Sequence, residues 1–357
     1  DLAHEDYDFG SSLIMYENLG GNNSDRYSYE LPNYGYSKNF FLTNFDGSFS
    51  FSSDGSHSIK NTNVSSSSID NNLSYKSLDF YTDNGILTNW DFKFQNSNTM
   101  SDDSLRYKNK PQSELISAYF FDLSLPLQKK TKDRQNTLVP KLNFRYSPHD
   151  MKRNSATNRR VHIGNVFSND RMGMIETGES LTIGIDLKKQ KIIPADINLI
   201  RPPFNGSQTE EQITAIEDYI DFKLATVLRF NKEENIPTTS TVNEKTSNIF
   251  GSVQYKPIND IFLNYDFSLA NDFNIIEAHT IGAKYETENF STRFSFTEEA
   301  GILGDSNSVL NETKLINFRD YHNLSFSTRR NRIINLTEFY DLVYEYKNDC
   351  LIAEIKY

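Results

Sequence analysis

Apolar and polar residues alternate along much of this chain with a period of two, the mark of strands with one face against an apolar medium. Leu115, Tyr119, Phe121, Leu123 and Leu125 share one face of their segment. Leu142, Phe144 and Tyr146 oppose Lys141, Asn143 and Arg145, and Leu181, Ile183, Ile185 and Leu187 oppose Thr182, Gly184, Asp186 and Lys188. Phe222, Leu224, Thr226, Leu228 and Phe230 oppose Lys223, Ala225, Val227 and Arg229. Residues 263–269 and 290–296 repeat the pattern. At the C-terminal end, Leu351, Ala353, Ile355 and Tyr357 alternate with Cys350, Ile352, Glu354 and Lys356, just after a polar turn at 347–349. The pattern stops there without a closing turn, so the expectation is a fragment cut inside a larger sheet. One weak helical stretch is expected around residues 209–220.

The alternating segments recur roughly every 15 to 25 residues, wider than the spacing of a compact sandwich. Polar stretches separate them, among them 129–136, 147–160, 189–218 and 304–311, and the Ser/Asn-rich run 47–74 reads as low complexity, although Phe49 and Phe51 still alternate. Long unstructured connections are foreign to a compact domain. They are expected of an outer-membrane barrel, in which long outer loops alternate with short periplasmic turns. Charges on the second face of nearly every strand suit a hydrated lumen. The expected fold is therefore all-β: a large antiparallel transmembrane β-barrel spanning 1–357. It is expected to be incomplete, lacking early strands and the last strand, and to hold about 14 to 18 strands at this spacing. A soluble solenoid or sandwich is the competing architecture.

Composition favours the barrel. Hydrophobic residues make up only 37% of the chain, yet it carries 26 Phe and 20 Tyr. Disordered chains are depleted in aromatics, whereas a barrel needs apolar residues at alternate positions only. No run reaches the roughly 18 apolar residues of a membrane helix. The acidic opening Asp1-Leu-Ala-His-Glu-Asp6 is not a signal peptide, so a cell-surface reading expects a missing N-terminus. A net charge of −11 argues against a nucleic-acid partner.

Little points to catalysis, a metal or a cofactor. The six histidines have no metal-ligand spacing and no G-x-S-x-G elbow is present. His279, expected to share a face with Glu277, Ile281 and Ala283, reads as a satisfied barrel residue. In the segment 165–184, Arg171 lies close in sequence to Asp170, Glu176 and Glu179. An arginine among carboxylates can pin a loop by charge-assisted hydrogen bonds; spacing alone favours a solvated loop with exposed charges. Cys350, the single cysteine, is either a small packing residue or, in an oxidising envelope compartment, half of a disulfide completed elsewhere.

Several stretches carry a resemblance. Leu138-Val-Pro-Lys-Leu-Asn-Phe-Arg-Tyr-Ser-Pro148 is one, and Tyr16-Glu-Asn18 with Ser24-Asp-Arg-Tyr-Ser-Tyr-Glu-Leu-Pro-Asn33 is another. The most specific is Asn165-Val-Phe-Ser-Asn-Asp-Arg-Met-Gly173 followed by Ile175-Glu-Thr-Gly-Glu-Ser-Leu-Thr-Ile-Gly184; the last is Leu342-Val-Tyr-Glu-Tyr-Lys-Asn-Asp-Cys350. Together they resemble the C-terminal barrel of the lipopolysaccharide-assembly outer-membrane proteins (LptD, or organic solvent tolerance protein), of alphaproteobacterial type. The resemblance implies transport without bond-making in the bacterial outer membrane. In that family a periplasmic N-terminal domain receives lipopolysaccharide from periplasmic bridge proteins, and a small lipoprotein plugs the barrel. A seam between the first and last strands then releases the lipid among the outer-membrane lipids. The N-terminal domain and the seam are expected to lie outside this chain. The resemblance further implies that residues 165–178 form an ordered loop in or over the lumen, anchored by Arg171, Glu176 and Glu179. It also implies a disulfide between Cys350 and a periplasmic-domain cysteine, although the family's adjacent cysteine pair is a single residue here. A porin or nutrient receptor, and an outer-membrane hydrolase, are the alternatives.

Overall fold

A computed structural model describes residues 2–3, 7–19, 26–41, 46–103, 107–150, 157–194 and 214–357. The fold is all-β, with the strands hydrogen-bonded into one large antiparallel sheet. In chain order the strands are β1 (Leu2–Ala3), β2 (Tyr7–Glu17), β3 (Tyr27–Phe40), β4 (Gly47–Lys60), β5 (Ser65–Ser77), β6 (Phe80–Tyr81), β7 (Leu87–Asp102), β8 (Gln112–Ser124), β9 (Leu127–Lys130) and β10 (Arg134–Ser147). They continue with β11 (Gly178–Pro194), β12 (Thr214–Arg229), β13 (Ile249–Ile258), β14 (Ile261–Leu269), β15 (Ile276–Glu286), β16 (Phe290–Glu299), β17 (Ser306–Arg319), β18 (His322–Asn331), β19 (Leu336–Lys347) and β20 (Ile352–Lys356). These 20 strands exceed the expected number for two reasons. β1, β6 and β9 are too short to register as alternation, and the run read as low complexity forms β4 and β5. The helix expected around 209–220 is absent where it is described: from Thr214 the chain is β12, and 209–213 lie outside the described residues.

Contacts divide the chain into two compact units, 1–123 with 143–152 and 173–180, and 124–142 with 153–172 and 181–357. In the first unit, side-chain ladders explain why a serine-rich sequence forms strands. Across β4 and β5, Ser50 meets Ser74 at 2.6 Å, Ser58 meets Ser66 at 2.7 Å, and Ser53 donates to Asn71 at 2.8 Å. Such cross-strand pairs add to the backbone ladder where hydropathy gives no signal. Aromatic packing seals one end: Phe49 stacks on Phe40 at 5.4 Å and leans on Tyr75, which in turn meets Trp90 at 4.6 Å.

The second unit inverts the burial of a soluble protein. On the part of β11 in this unit, Thr182 is buried, while Ile183 is 41% exposed. On β12, Ala225, Val227 and Arg229 are buried, and Phe230 just past its end is exposed; across β13 to β15, Ser252, Ser268 and Glu277 are buried, whereas Leu263 and Ile281 are exposed. The exposed apolar face continues through Phe294, Phe326 and Leu342. Connection lengths alternate as well. β13–β14, β15–β16, β17–β18 and β19–β20 are joined by two to four residues at one end. At the other end, 19 residues join β12 to β13, six join each of β14–β15 and β16–β17, and four join β18 to β19.

One local expectation changes. A register shift between β14 and β15 pairs Ser268 with Ala278 but Leu269 with Ile276, leaving Glu277 as the extra residue of a bulge. Glu277 therefore turns to the buried face, where it accepts from Asn248 Nδ2 at 2.6 Å. His279 stays on the opposite face between the rings of Tyr265 and Phe296, 3.4 Å from Glu298.

Candidate functional site

The buried face of the second unit is covered by its own connections. The segment 157–172 folds onto it through a turn built by Asn165, whose Oδ1 accepts from His162 N at 2.8 Å. Its Nδ2 donates to the carbonyls of Arg160 and Arg171 at 3.1 and 3.0 Å. Asparagine suits this position because its short amide carries both donor and acceptor back to nearby backbone. Arg171 is buried, and its Nη1 donates to Val166 O at 3.3 Å and to Thr182 Oγ1 of β11 at 3.1 Å. Phe167 lies over Gly184. A Cβ on that glycine would come within 2.7 Å of the Phe167 ring and 2.8 Å of the Leu224 carbonyl oxygen. Lys141 frames the same spot, bonded to Asp186 at 2.5 Å and 5.8 Å from the Phe167 ring centre.

The 230–248 connection completes the cover. Ile236 and Val242 are fully buried, and Thr239 Oγ1 accepts from Arg159 N at 3.2 Å. Arg159 also donates to Met172 O at 2.7 Å, and Arg160 bonds Glu299 of β16 and the Leu303 carbonyl. The space left beside this cover is a cleft of about 180 Å³ lined by residues including Val161, Phe250, Ser268 and Leu303. That is below the roughly 300 Å³ at which small-molecule pockets begin. The covered face is filled by the chain's own side chains.

In the first unit, Glu176 forms a buried ion pair with Arg145 of β10, whose guanidinium also lies 5.0 Å from the centre of the Phe120 ring. Asn143 donates to Asp122 at 2.8 Å and Ser147 to the Ser117 carbonyl at 2.7 Å. Ser117 Oγ stands 3.0 Å from His149 Nε2, a nucleophile–base distance. Among the described residues no carboxylate orients the second nitrogen of that ring, which a working triad requires.

No family model and no curated protein matches this chain. The site therefore rests on its own geometry. Of the three anchors expected from the sequence, Arg171 holds its loop through Val166 O and Thr182. Glu176 is paired with Arg145, a residue that sequence proximity does not suggest. Glu179 is exposed at the start of β11, and the structure gives it no anchoring role. Asn165, Phe167 and Gly184 belong to the segment singled out earlier, but their roles emerge only once the loop is folded back. Cys350 is exposed beside the β19–β20 turn, where Asn348 Oδ1 accepts from Cys350 N and Leu351 N at 2.9 and 2.7 Å. Among the described residues no cluster of metal-ligating side chains occurs, and no helix is long and apolar enough to cross a membrane, which says nothing of strands.

Proposed function

We propose that this chain is an outer-membrane β-barrel component of lipopolysaccharide export, inserting the lipid into the outer leaflet without chemical change to it. The observation that carries the reading is a long connection held onto the polar face of a sheet whose opposite face is apolar and exposed. The residues holding it, Asn165, Phe167, Arg171 and Gly184, are those of the most specific family-like segment. Polar-in, apolar-out strands with unequal connections at their two ends are what a lipid-embedded barrel requires. Where its own connections cover it, the polar face is filled, which favours a plugged, lipid-handling barrel over an open pore. Under this reading the partners are lipopolysaccharide, a plug lipoprotein, periplasmic bridge proteins and outer-membrane lipids. Cys350, on the short-turn side, is the candidate for a disulfide to a periplasmic domain.

Depletion in the native host tests the proposal. Loss of newly made lipopolysaccharide from the cell surface, with small-solute uptake intact, supports it. Unchanged surface lipopolysaccharide with lost uptake favours the porin or receptor. The hydrolase alternative is favoured by one contact, Ser117 with His149. Labelling by a serine-directed fluorophosphonate that disappears in Ser117→Ala would establish it.

A further inference from the structure

We propose that Arg330 and Arg332, on the apolar face of β17–β19, bind the phosphate groups of a phosphorylated glycolipid; the inference rests on the outer-membrane reading above. Both arginines border an open cleft of about 680 Å³, together with Val309, Asn311, Thr328 and Tyr340. The pairing register puts these residues on one face: Val309 opposes Arg330, Asn311 opposes Thr328, and Thr328 opposes Tyr340. Further along the same strands, this face carries Leu315, Leu324, Phe326 and Leu342. The cleft sits at the four-residue β18–β19 turn, beside the six-residue β16–β17 connection and at the same strand ends as the 19-residue β12–β13 connection. The end with the long connections faces the outer leaflet in such barrels. A cation at that level can reach headgroups while an apolar wall continues beneath it along the acyl chains.

The two guanidiniums are fixed yet uncommitted to any anion. Arg330 Nη2 donates to Asn335 Oδ1, and Arg332 lies 5.6 Å from the centre of the Phe296 ring. Their turn is tied down by Arg332 N bonding Asn307 O at 2.7 Å and by Asn331 Oδ1 accepting from Ile333 N at 3.1 Å. Among the described residues neither arginine has an ion-pair partner. Arg329, one residue earlier and on the opposite face, pairs with Glu338 at 3.0 Å. Glu298, on the arginines' face of β16, is engaged by His279 and Asn307. Two preorganised guanidinium forks with open donors match a phosphomonoester in shape and charge. The apolar wall argues for a lipid-borne phosphate over a free one.

The test is lipid retention by the full chain extracted from outer membranes in detergent, read by native mass spectrometry with bisphosphorylated lipid A as the probe. Arg330→Gln/Arg332→Gln should lower retention about tenfold or more, the loss of at least one charge-assisted hydrogen bond. Arg329→Gln, which removes the same charge from the same strand, should leave retention near wild type, and Arg330→Lys/Arg332→Lys should keep a large part of it. Enzymatically dephosphorylated lipid A should bind the wild type as weakly as the double Gln variant binds the intact lipid. Equal retention by the double Gln variant, equal retention of dephosphorylated lipid, or displacement of the lipid by millimolar inorganic phosphate each overturns the proposal while leaving the export reading standing. Recovery of the chain as a soluble protein without detergent overturns both.

Discussion

Arg145 and Glu176 meet with side chains 2% and 0% exposed, whereas Arg293 and Glu312 face each other across β16 and β17 with 59% and 40% exposed. The residue types are the same, although Glu176 sits in the connection just before β11 while Arg293 and Glu312 are register partners on two strands. What differs is cover. Around Glu176 the chain has folded over its own polar side chains; between β16 and β17 the ladder is open to solvent. A buried pair that loses one partner leaves a desolvated charge behind. An exposed pair only trades one hydration shell for another. The covered stretch therefore behaves as a fixed structural insert and the open ladder as a solvated wall.

The largest break in that contrast should come from Glu176→Ala, which removes the buried carboxylate paired with Arg145 at a cost of about 3–5 kcal/mol. Urea unfolding of the refolded barrel should register it, with Arg145→Met/Glu176→Leu losing far less; a small effect of the single change would place the pair in solvent. Next comes the apolar face. Under the proposed outer-membrane reading, Ile183→Arg should weaken assembly by about 2–4 kcal/mol, much more than Asp186→Arg on the polar face. Equal yields of heat-modifiable barrel from both variants would contradict the assignment of faces. Gly184→Ala comes third. Its new Cβ crowds the Phe167 ring, an overpacking of about 1–3 kcal/mol. The readout is protease cleavage within 157–172, faster than in wild type. Arg293→Ala should be the mildest, at most about 1 kcal/mol, and a larger loss would mean that the open ladder is not open.

The strands themselves were legible because a sheet with one apolar, exposed face and one polar face imposes its period on the sequence, as Leu181 to Leu187 and Phe222 to Phe230 display. The serine ladder of β4 and β5 was not, since Ser50 and Ser74 stabilise each other by a hydrogen bond that no hydropathy pattern records. Glu277 was assigned to the wrong face because a one-residue bulge shifts every side chain before it, and bulges are set by register against a neighbour. In the candidate site, Arg171 was recognisable as a candidate loop anchor, but the residues that the folded loop brings to it were not. Two of its bonds run to a backbone carbonyl and a threonine, and Glu176 reaches back 31 residues to Arg145. Partners so far apart in sequence leave no local spacing to read.

The two- to four-residue turns at one end of β13 to β20 have a consequence for how the sheet comes together. Each strand there pairs with its immediate successor, so every new ladder closes only a short loop. Loop-closure entropy rises slowly with length, and contacts between sequence neighbours form fastest. This part of the sheet can thus grow one hairpin at a time, each addition templated by the strand before it. A lesion in one hairpin should halt growth at that point and leave the strands already laid down intact.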